Sequence, residues 1–253
     1  LRQMVGRVQT YLGAASAEGV ADIAAKGGVG GSLQAIPSWT LLGPYWDTGF
    51  YRNPDPEFEK NSGLSEACQA ALIGDVNPNV NYTATILRKR QTQSFRRQIG
   101  PGADGVVEIG SAMDPEGKTL SAWKTYFAYA VADFESPVER DAILAMNANR
   151  ACLLRLYVNG EEAVDMTSPL WHSLSTVAKD DGRFRFLIRL KKGENILTLK
   201  ISNLPKSQIP AQFLMKISDE GWNLDFPYGK LQNSAEIYDS RLNFGGAYGY
   251  HYW

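Results

Sequence analysis

The sequence predicts an all-β protein, an antiparallel β-sandwich of jelly-roll type with a short helical N-terminal extension. Between residues 125 and 203, apolar and polar side chains alternate along several short segments, as they do in strands that bury one face. The pair Asn159-Gly160 and the run at residues 191–193 separate these segments in the way that tight hairpin turns do. Period-two alternation joined by such turns is typical of antiparallel sheets.

Two of the predicted strands carry most of this argument. In residues 126–134, Phe127, Tyr129 and Val131 alternate with three alanines, and in residues 183–190 four apolar side chains alternate with three arginines and Leu187. The full set of predicted strands in this part of the chain is residues 106–109, 126–134, 142–146, 152–158, 183–190, 196–201 and 213–217.

We divide the chain into three parts. Residues 1–38 form a helical and glycine-rich N-terminal extension, because an apolar stripe at helical spacing precedes the glycine-rich run at 27–31. Residues 39–221 form the jelly-roll sandwich. Residues 222–253 form a tail rich in glycine and aromatic residues, which we expect to pack on the sandwich or on a partner.

The first part of the sandwich region mixes strand, loop and helix patterns. Residues 39–45 predict a first strand that Gly43-Pro44 stops, residues 51–63 a polar loop with two prolines, and residues 64–72 a short helix. Strands are predicted again in residues 83–99, which carry the cations Arg88, Lys89, Arg90, Arg96 and Arg97. We interpret these cations as a solvated strand face; the alternatives are a site for an anionic polysaccharide or for an acidic protein.

Composition excludes several broad classes of function. The 253 residues carry a net charge of −1, so no global field favours nucleic acid, and we predict no nucleic-acid partner. No run of about 18 apolar residues occurs, so we predict no membrane-spanning segment. An apolar fraction of 44% is ordinary for a globular protein.

The two cysteines leave two states open. Cys152 shares its strand face with core residues, and Cys68 lies among apolar residues at helical spacing. Two buried free thiols are favoured over one disulfide, because unpaired cysteines are usually buried. Neither cysteine has the spacing of a metal site.

A family resemblance enters through short motifs in a fixed order. These are Trp39-Thr-Leu-Leu-Gly-Pro-Tyr45, Phe127-Ala-Tyr-Ala130, Leu156-Tyr-Val-Asn-Gly-Glu161 and Leu190-Lys-Lys-Gly-Glu-Asn195. Their order resembles galactose-binding-like jelly-roll domains that occur as accessory modules of bacterial polysaccharide-degrading enzymes. The resemblance covers roughly residues 39–220. It implies an extracytoplasmic location, periplasmic or secreted.

The resemblance also implies carbohydrate recognition. Sugar sites of this kind place an aromatic ring against a pyranose, while amides, carboxylates or arginines bind the hydroxyls. The candidate ligand-binding residues lie in predicted loops or at strand ends, with Trp171 and His172 favoured: Trp171, His172, Trp46, Tyr51, Trp222 and Asn149. The loop at 146–150 lacks the acidic pair of many relatives, which argues against a Ca²⁺ ion there.

No motif in the chain predicts catalysis. A Ser-His-Asp triad with His172 lacks a nucleophile elbow, and no motif singles out a glycosidase pair among the 27 acidic residues. We therefore expect a non-catalytic binding protein with no metal and no cofactor.

The termini favour an alternative function. An apolar helical stripe and a run of C-terminal rings are typical of an interface with a larger protein assembly. On this alternative the chain is a structural or accessory subunit, and the partner-binding residues are Met4, Val8, Tyr11, Tyr248, Tyr250, Tyr252 and Trp253. The predicted partner is thus a carbohydrate or a larger protein complex.

Overall fold

The computed structural model describes residues 33–48, 56–116, 124–149, 152–167, 184–203, 210–218 and 237–238. In these ranges sheet 1 consists of β1 (Leu33–Ala35), β6 (Val106–Glu108), β8 (Arg140–Ala148), β11 (Phe184–Leu190), β13 (Gln212–Ser218) and β14 (Ile237–Tyr238). Sheet 2 consists of β2 (Trp39–Thr48), β5 (Arg97–Ile99), β7 (Lys124–Ser136), β9 (Cys152–Val158), β10 (Glu161–Met166) and β12 (Gly193–Asn203).

A separate hairpin and three short helices complete the described part of the chain. The hairpin consists of β3 (Tyr82–Ile86) and β4 (Lys89–Gln93), and the helices are α1 (Pro56–Ser62), α2 (Ser65–Ile73) and α3 (Ile109–Met113). Helix α2 ends where Gly74 adopts a left-handed conformation and its N–H binds the last carbonyls of the helix.

The two sheets are almost entirely antiparallel. Sheet 1 has the order β1-β13-β8-β11-β14, with β6 also on β13, and sheet 2 has the order β10-β9-β12-β7-β2-β5. The described strand pairs are antiparallel except β11 with β14, whose register covers two residues of each strand. The predicted all-β, antiparallel fold class is confirmed.

One apolar core joins the two sheets. It contains Leu144 and Phe213 of sheet 1 together with Ala130, Leu156 and Leu199 of sheet 2, all fully buried. Because their apolar side chains come from both sheets, the sheets pack face to face as layers of a sandwich.

Strand β7 is buried on both of its faces. Ala128, Ala130 and Ala132 face the core between the sheets, whereas Tyr129 and its neighbours Phe127 and Val131 enter a second apolar cluster. This second cluster also holds residues of α2 and of the β3–β4 hairpin. Together with α1, these elements cover part of the outer face of sheet 2. We call α1, α2 and the β3–β4 hairpin the cap.

The prediction that Gly43-Pro44 stops the first strand is wrong. Strand β2 continues to Thr48, and its pairing with β7 shifts register between Leu42 and Tyr45 as in a β-bulge. Gly43 has a φ of 131°, and a Cβ built on it would lie 3.0 Å from the Cβ of Ala128. Glycine thus permits the bulge and the close approach of β7.

The polar loop predicted for residues 51–63 is wrong for its described part. Helix α1 begins at Pro56, a residue that suits the first turn of a helix. Phe58 packs edge-to-face on Phe127 with ring centroids 5.5 Å apart. The pattern does not reveal this helix, because the residues that it buries, Glu59 and Ser62, are polar.

Strands also occur inside the two predicted flanking parts of the chain. Strand β1 belongs to the predicted extension and pairs with β13, and β14 belongs to the predicted tail and pairs with β11. The predicted N-terminal helix lies outside the described residues.

Both cysteines are free and buried, as the sequence favoured. In the described ranges no helix is both long and apolar enough to cross a membrane.

Candidate functional site

The outer face of sheet 2 carries a row of charged and aromatic side chains. Strand registers place Asp165 of β10, Arg155 of β9, Lys200 of β12 and Tyr129 of β7 side by side across four neighbouring strands. This row leads from the exposed edge of the sheet to the space beneath the cap. We call its two ends the rim cluster and the capped pair.

The capped pair consists of Glu59 on α1 and Lys200 on β12. The Lys200 Nζ lies 2.9 Å from both carboxylate oxygens of Glu59, and the two side chains are 2% and 4% exposed. The Tyr129 hydroxyl donates a hydrogen bond of 2.9 Å to Glu59 Oε1. A buried lysine needs this partner, because an unpaired charge in the interior is costly.

Burial and the Glu59 carboxylate together shift the pKa values of Lys200 and Cys68. Burial lowers the pKa of Lys200, but the Glu59 carboxylate more than offsets this and holds that pKa above its ordinary value. Burial, followed by the nearby Glu59, raises the pKa of the Cys68 thiol to about 11. Cys68 is therefore a protonated, unreactive thiol at neutral pH, and Lys200 is a cation.

The rim cluster consists of Arg155 and Tyr157 on β9 with Glu162 and Asp165 on β10. Arg155 lies 3.4 Å from Glu162 Oε2 and 3.1 Å from Asp165 Oδ2, and the Tyr157 hydroxyl donates to Glu162 Oε2 at 3.0 Å. The Glu162 and Asp165 side chains are 42% and 40% exposed. The two ends of the row thus differ sharply in their access to solvent.

One face of the Tyr157 ring connects the two clusters. The Lys200 Nζ lies 4.7 Å from the centroid of this ring, a cation–π distance. Tyr157 is therefore held by Lys200 on one side of its ring and by Glu162 at its hydroxyl.

The carboxylate acceptors of the rim cluster suit hydroxyl groups. Within the described residues, Glu162 Oε2 accepts from Arg155 and Tyr157, whereas Oε1 takes part in no hydrogen bond, and the Glu162 side chain is 42% exposed. A carboxylate oxygen of this kind accepts hydrogen bonds from polyols. Among the described residues, no group of three or more His, Cys, Asp or Glu side chains could hold a metal ion.

Two of the predicted ligand-binding residues are described, and both lie away from the rim cluster. Trp46 is partly buried and packs edge-to-face on Tyr126 with centroids 5.9 Å apart. Asn149 is fully buried; its side chain donates to the Pro210 carbonyl at 2.7 Å and accepts from the Gln212 N–H at 3.2 Å. These contacts give Asn149 a structural role, and the ligand-binding role of both residues stays a prediction.

The other predicted site residues lie outside the described ranges. They are the ligand-binding candidates Tyr51, Trp171, His172 and Trp222 and the partner-binding candidates Met4, Val8, Tyr11, Tyr248, Tyr250, Tyr252 and Trp253.

The sequence held a signal for the rim cluster that loop-centred reasoning missed. A two-residue Asn159-Gly160 turn fixes the register of the flanking strands, with Glu162 opposite Tyr157. Since Leu154 and Leu156 face the core, Arg155 and Tyr157 must face outward. No comparable pattern links Glu59 to Lys200, which are distant in the chain.

Comparisons with known proteins assign the chain to no family. No protein-family model matches it, and no curated protein matches it. Among solved structures it is weakly similar to a β-glucosidase from Kluyveromyces marxianus, solved in complex with glucose, at 17% identity and a TM-score of 0.28. That alignment covers 44% of this chain and 13% of the β-glucosidase.

Two further structures show similarity of the same size. A GH31 α-xylosidase from Xanthomonas citri aligns at 16% identity with a TM-score of 0.25, covering 40% of this chain and 11% of that one. A β-glycosidase from Bacteroides vulgatus aligns at 9% identity with a TM-score of 0.28, covering 73% and 20%. The chain therefore spans a small part of each of these proteins.

Proposed function

We propose that this chain is a non-catalytic, extracytoplasmic carbohydrate-binding β-sandwich and that the rim cluster binds the sugar. The observation that carries the proposal is the exposed carboxylate of Glu162, which is held by Arg155 and Tyr157 through one oxygen and presents the other. A fixed acceptor at a partly exposed surface costs little to order when a polyol binds.

The charges of the rim cluster select a class of glycan. Glu162 and Asp165 are the most exposed of its charged groups, while the Arg155 side chain is 15% exposed. The surface offered to a ligand is therefore mainly anionic, which disfavours uronates and sulfated sugars by like-charge repulsion. We accordingly assign the rim cluster to neutral glycans.

The predicted loop site and the rim cluster are compatible. Trp171 and His172 follow β10 in the chain, shortly after Asp165 and Thr167. A ring contributed by that loop would supply the apolar contact that sugar recognition uses beside its hydroxyl-binding groups.

A screen of neutral oligosaccharides with matched variants tests the proposal. The wild-type chain binds at least one neutral glycan, and Glu162→Gln weakens this binding about tenfold or more, because a hydrogen bond to a charged acceptor contributes about 1.5–3 kcal/mol. Glu161→Gln is the matched control, since Glu161 is exposed and adjacent in the same strand. Absence of binding to every neutral glycan, or equal losses in the two variants, would refute the proposal.

A further inference from the structure

The β3–β4 hairpin has a turn whose residues are poor turn formers. Ile86 pairs with Lys89, so the turn consists of Leu87 and Arg88, with φ angles of 52° and 62°. Left-handed conformations at both positions favour Asn and Gly in two-residue hairpin turns. The β9–β10 turn of the same protein has the favoured pair, Asn159-Gly160, with φ angles of 52° and 85°.

The tip of the hairpin is apolar and cationic at once. Leu87 is 47% exposed, and the cations that follow it, Arg88, Lys89 and Arg90, are all exposed. In the described part of the chain, no carboxylate lies within ion-pairing distance of these three cations. Within the described residues, the fold thus leaves these charges without an anionic partner.

The base of the hairpin is firmly attached to sheet 2. The Gln91 side chain accepts from the Trp46 N–H at 2.7 Å and donates to the Trp46 carbonyl at 2.6 Å, as a neighbouring peptide group would. Gln93 donates to the Pro44 carbonyl at 3.0 Å. Ala84 and Ile86 bury the inner face of β3 in the second apolar cluster, beneath the cap. The exposed tip thus stands on an anchored base.

We propose that the tip, residues 87–90, is a docking element for an acidic protein surface. Three unpaired cations match an acidic partner and steer its approach. The exposed Leu87 adds an apolar contact, which protein partners use and polyanionic sugars do not need. An unfavourable turn is retained because its side chains make these contacts. This inference is independent of the glycan site, which lies on other strands.

A variant that improves the turn separates docking from folding. Leu87→Asn combined with Arg88→Gly installs the favoured turn pair, so the melting temperature rises while docking is lost. Lys192→Ala is the control, because it removes one exposed charge at another turn of the same chain. The probes are a fluorescent glutamate–tyrosine copolymer and polyglutamate of equal length, titrated into the full chain at low and at high salt.

We expect wild type and the control to bind the copolymer more tightly than polyglutamate, and the turn variant to bind it about tenfold or more weakly. Failure of the wild-type chain to bind the copolymer at low salt would overturn the proposal, as would unchanged binding by the turn variant. Stronger binding of heparin than of the copolymer, lost in the same variant, would assign the tip to anionic polysaccharides instead. Neutral-glycan binding by the turn variant is expected to equal that of wild type.

Discussion

Arg155 and Lys200 are direct neighbours across the β9–β12 strand pair, and both bind carboxylates, yet their surroundings differ. Lys200 lies beneath the cap, where its partner Glu59 is 4% exposed. Arg155 lies at the rim, where its partners Glu162 and Asp165 are 42% and 40% exposed. The same chemistry is thus placed once in the interior and once at the surface of a single sheet.

The two clusters differ in how much stability is lost when one charged partner is removed. In the capped pair neither charge can reach water, so loss of one partner leaves the other buried and uncompensated. In the rim cluster Arg155 has two partly exposed carboxylate partners, so loss of one leaves the other in place and costs little stability. The capped pair therefore attaches α1 to sheet 2, whereas the carboxylates of the rim cluster are partly exposed to solvent, as the proposed binding role requires.

Glu59→Gln should destabilise the protein more than any other change considered. This change keeps the shape of the side chain but leaves Lys200 as a buried, unpaired cation, so the free energy of unfolding should fall by about 3–5 kcal/mol. Urea denaturation followed by tryptophan fluorescence measures the loss.

The double variant Glu59→Leu with Lys200→Met is the control for that change. Replacing a buried ion pair by apolar side chains is often neutral, so most of the lost stability should return. A loss below about 1 kcal/mol in Glu59→Gln would show that this pair behaves as a surface ion pair does.

The dependence of stability on alkaline pH is a second test of the buried groups. Burial raises the pKa of Cys152 to about 12 and, with Glu59, that of Cys68 to about 11, from 9.0 in each case. The unfolded chain therefore binds fewer protons than the folded chain at pH values from about 9 to 12. Lys200 acts in the same direction, because its raised pKa gives stability that is lost as the pH rises through the folded value.

We accordingly expect the free energy of unfolding to fall steadily above pH 9, by on the order of a few kcal/mol. Denaturation curves at successive pH values measure this slope. Cys152→Ala should make the slope shallower, because the substituted residue no longer titrates. A stability independent of pH in this range would contradict the buried, protonated state of the two thiols.

A much smaller change in stability is expected from Glu162→Gln at the rim. The Glu162 side chain is 42% exposed and Arg155 keeps Asp165 as a partner, so the free energy of unfolding should change by about 1 kcal/mol or less. Glu161→Gln, which breaks no ion pair among the described residues, should change it by less still. A loss in Glu162→Gln as large as that in Glu59→Gln would remove the distinction between rim and cap.

The sequence predicted the sandwich strands well because their signal is local. The alternation of Phe127, Tyr129 and Val131 with alanines places two apolar faces on one strand, and the structure buries both. It predicted β2 less well, because Gly43-Pro44 resembles a chain stop when its strand partner is unknown. The residue that packs closely against Gly43 is Ala128, which lies far along the chain.

The candidate sites divide in the same way. The rim cluster lies within one hairpin, so the register of a two-residue turn would have placed Tyr157 opposite Glu162. The capped pair joins residues 59 and 200, and a glutamate in a polar segment predicts exposure unless its distant partner is known. Local period and turn chemistry are readable from the sequence, whereas a long-range charge pair is decided by tertiary packing.

An NMR titration of the isotopically labelled wild-type chain with a neutral oligosaccharide would show whether the rim cluster binds glycans. We predict that the largest shift changes occur in β9 and β10, around Arg155, Tyr157 and Glu162. Glu59, on α1 of the cap, should show a small change. Changes concentrated beneath the cap or on sheet 1, or no change with any neutral glycan, would contradict the assignment of recognition to the rim.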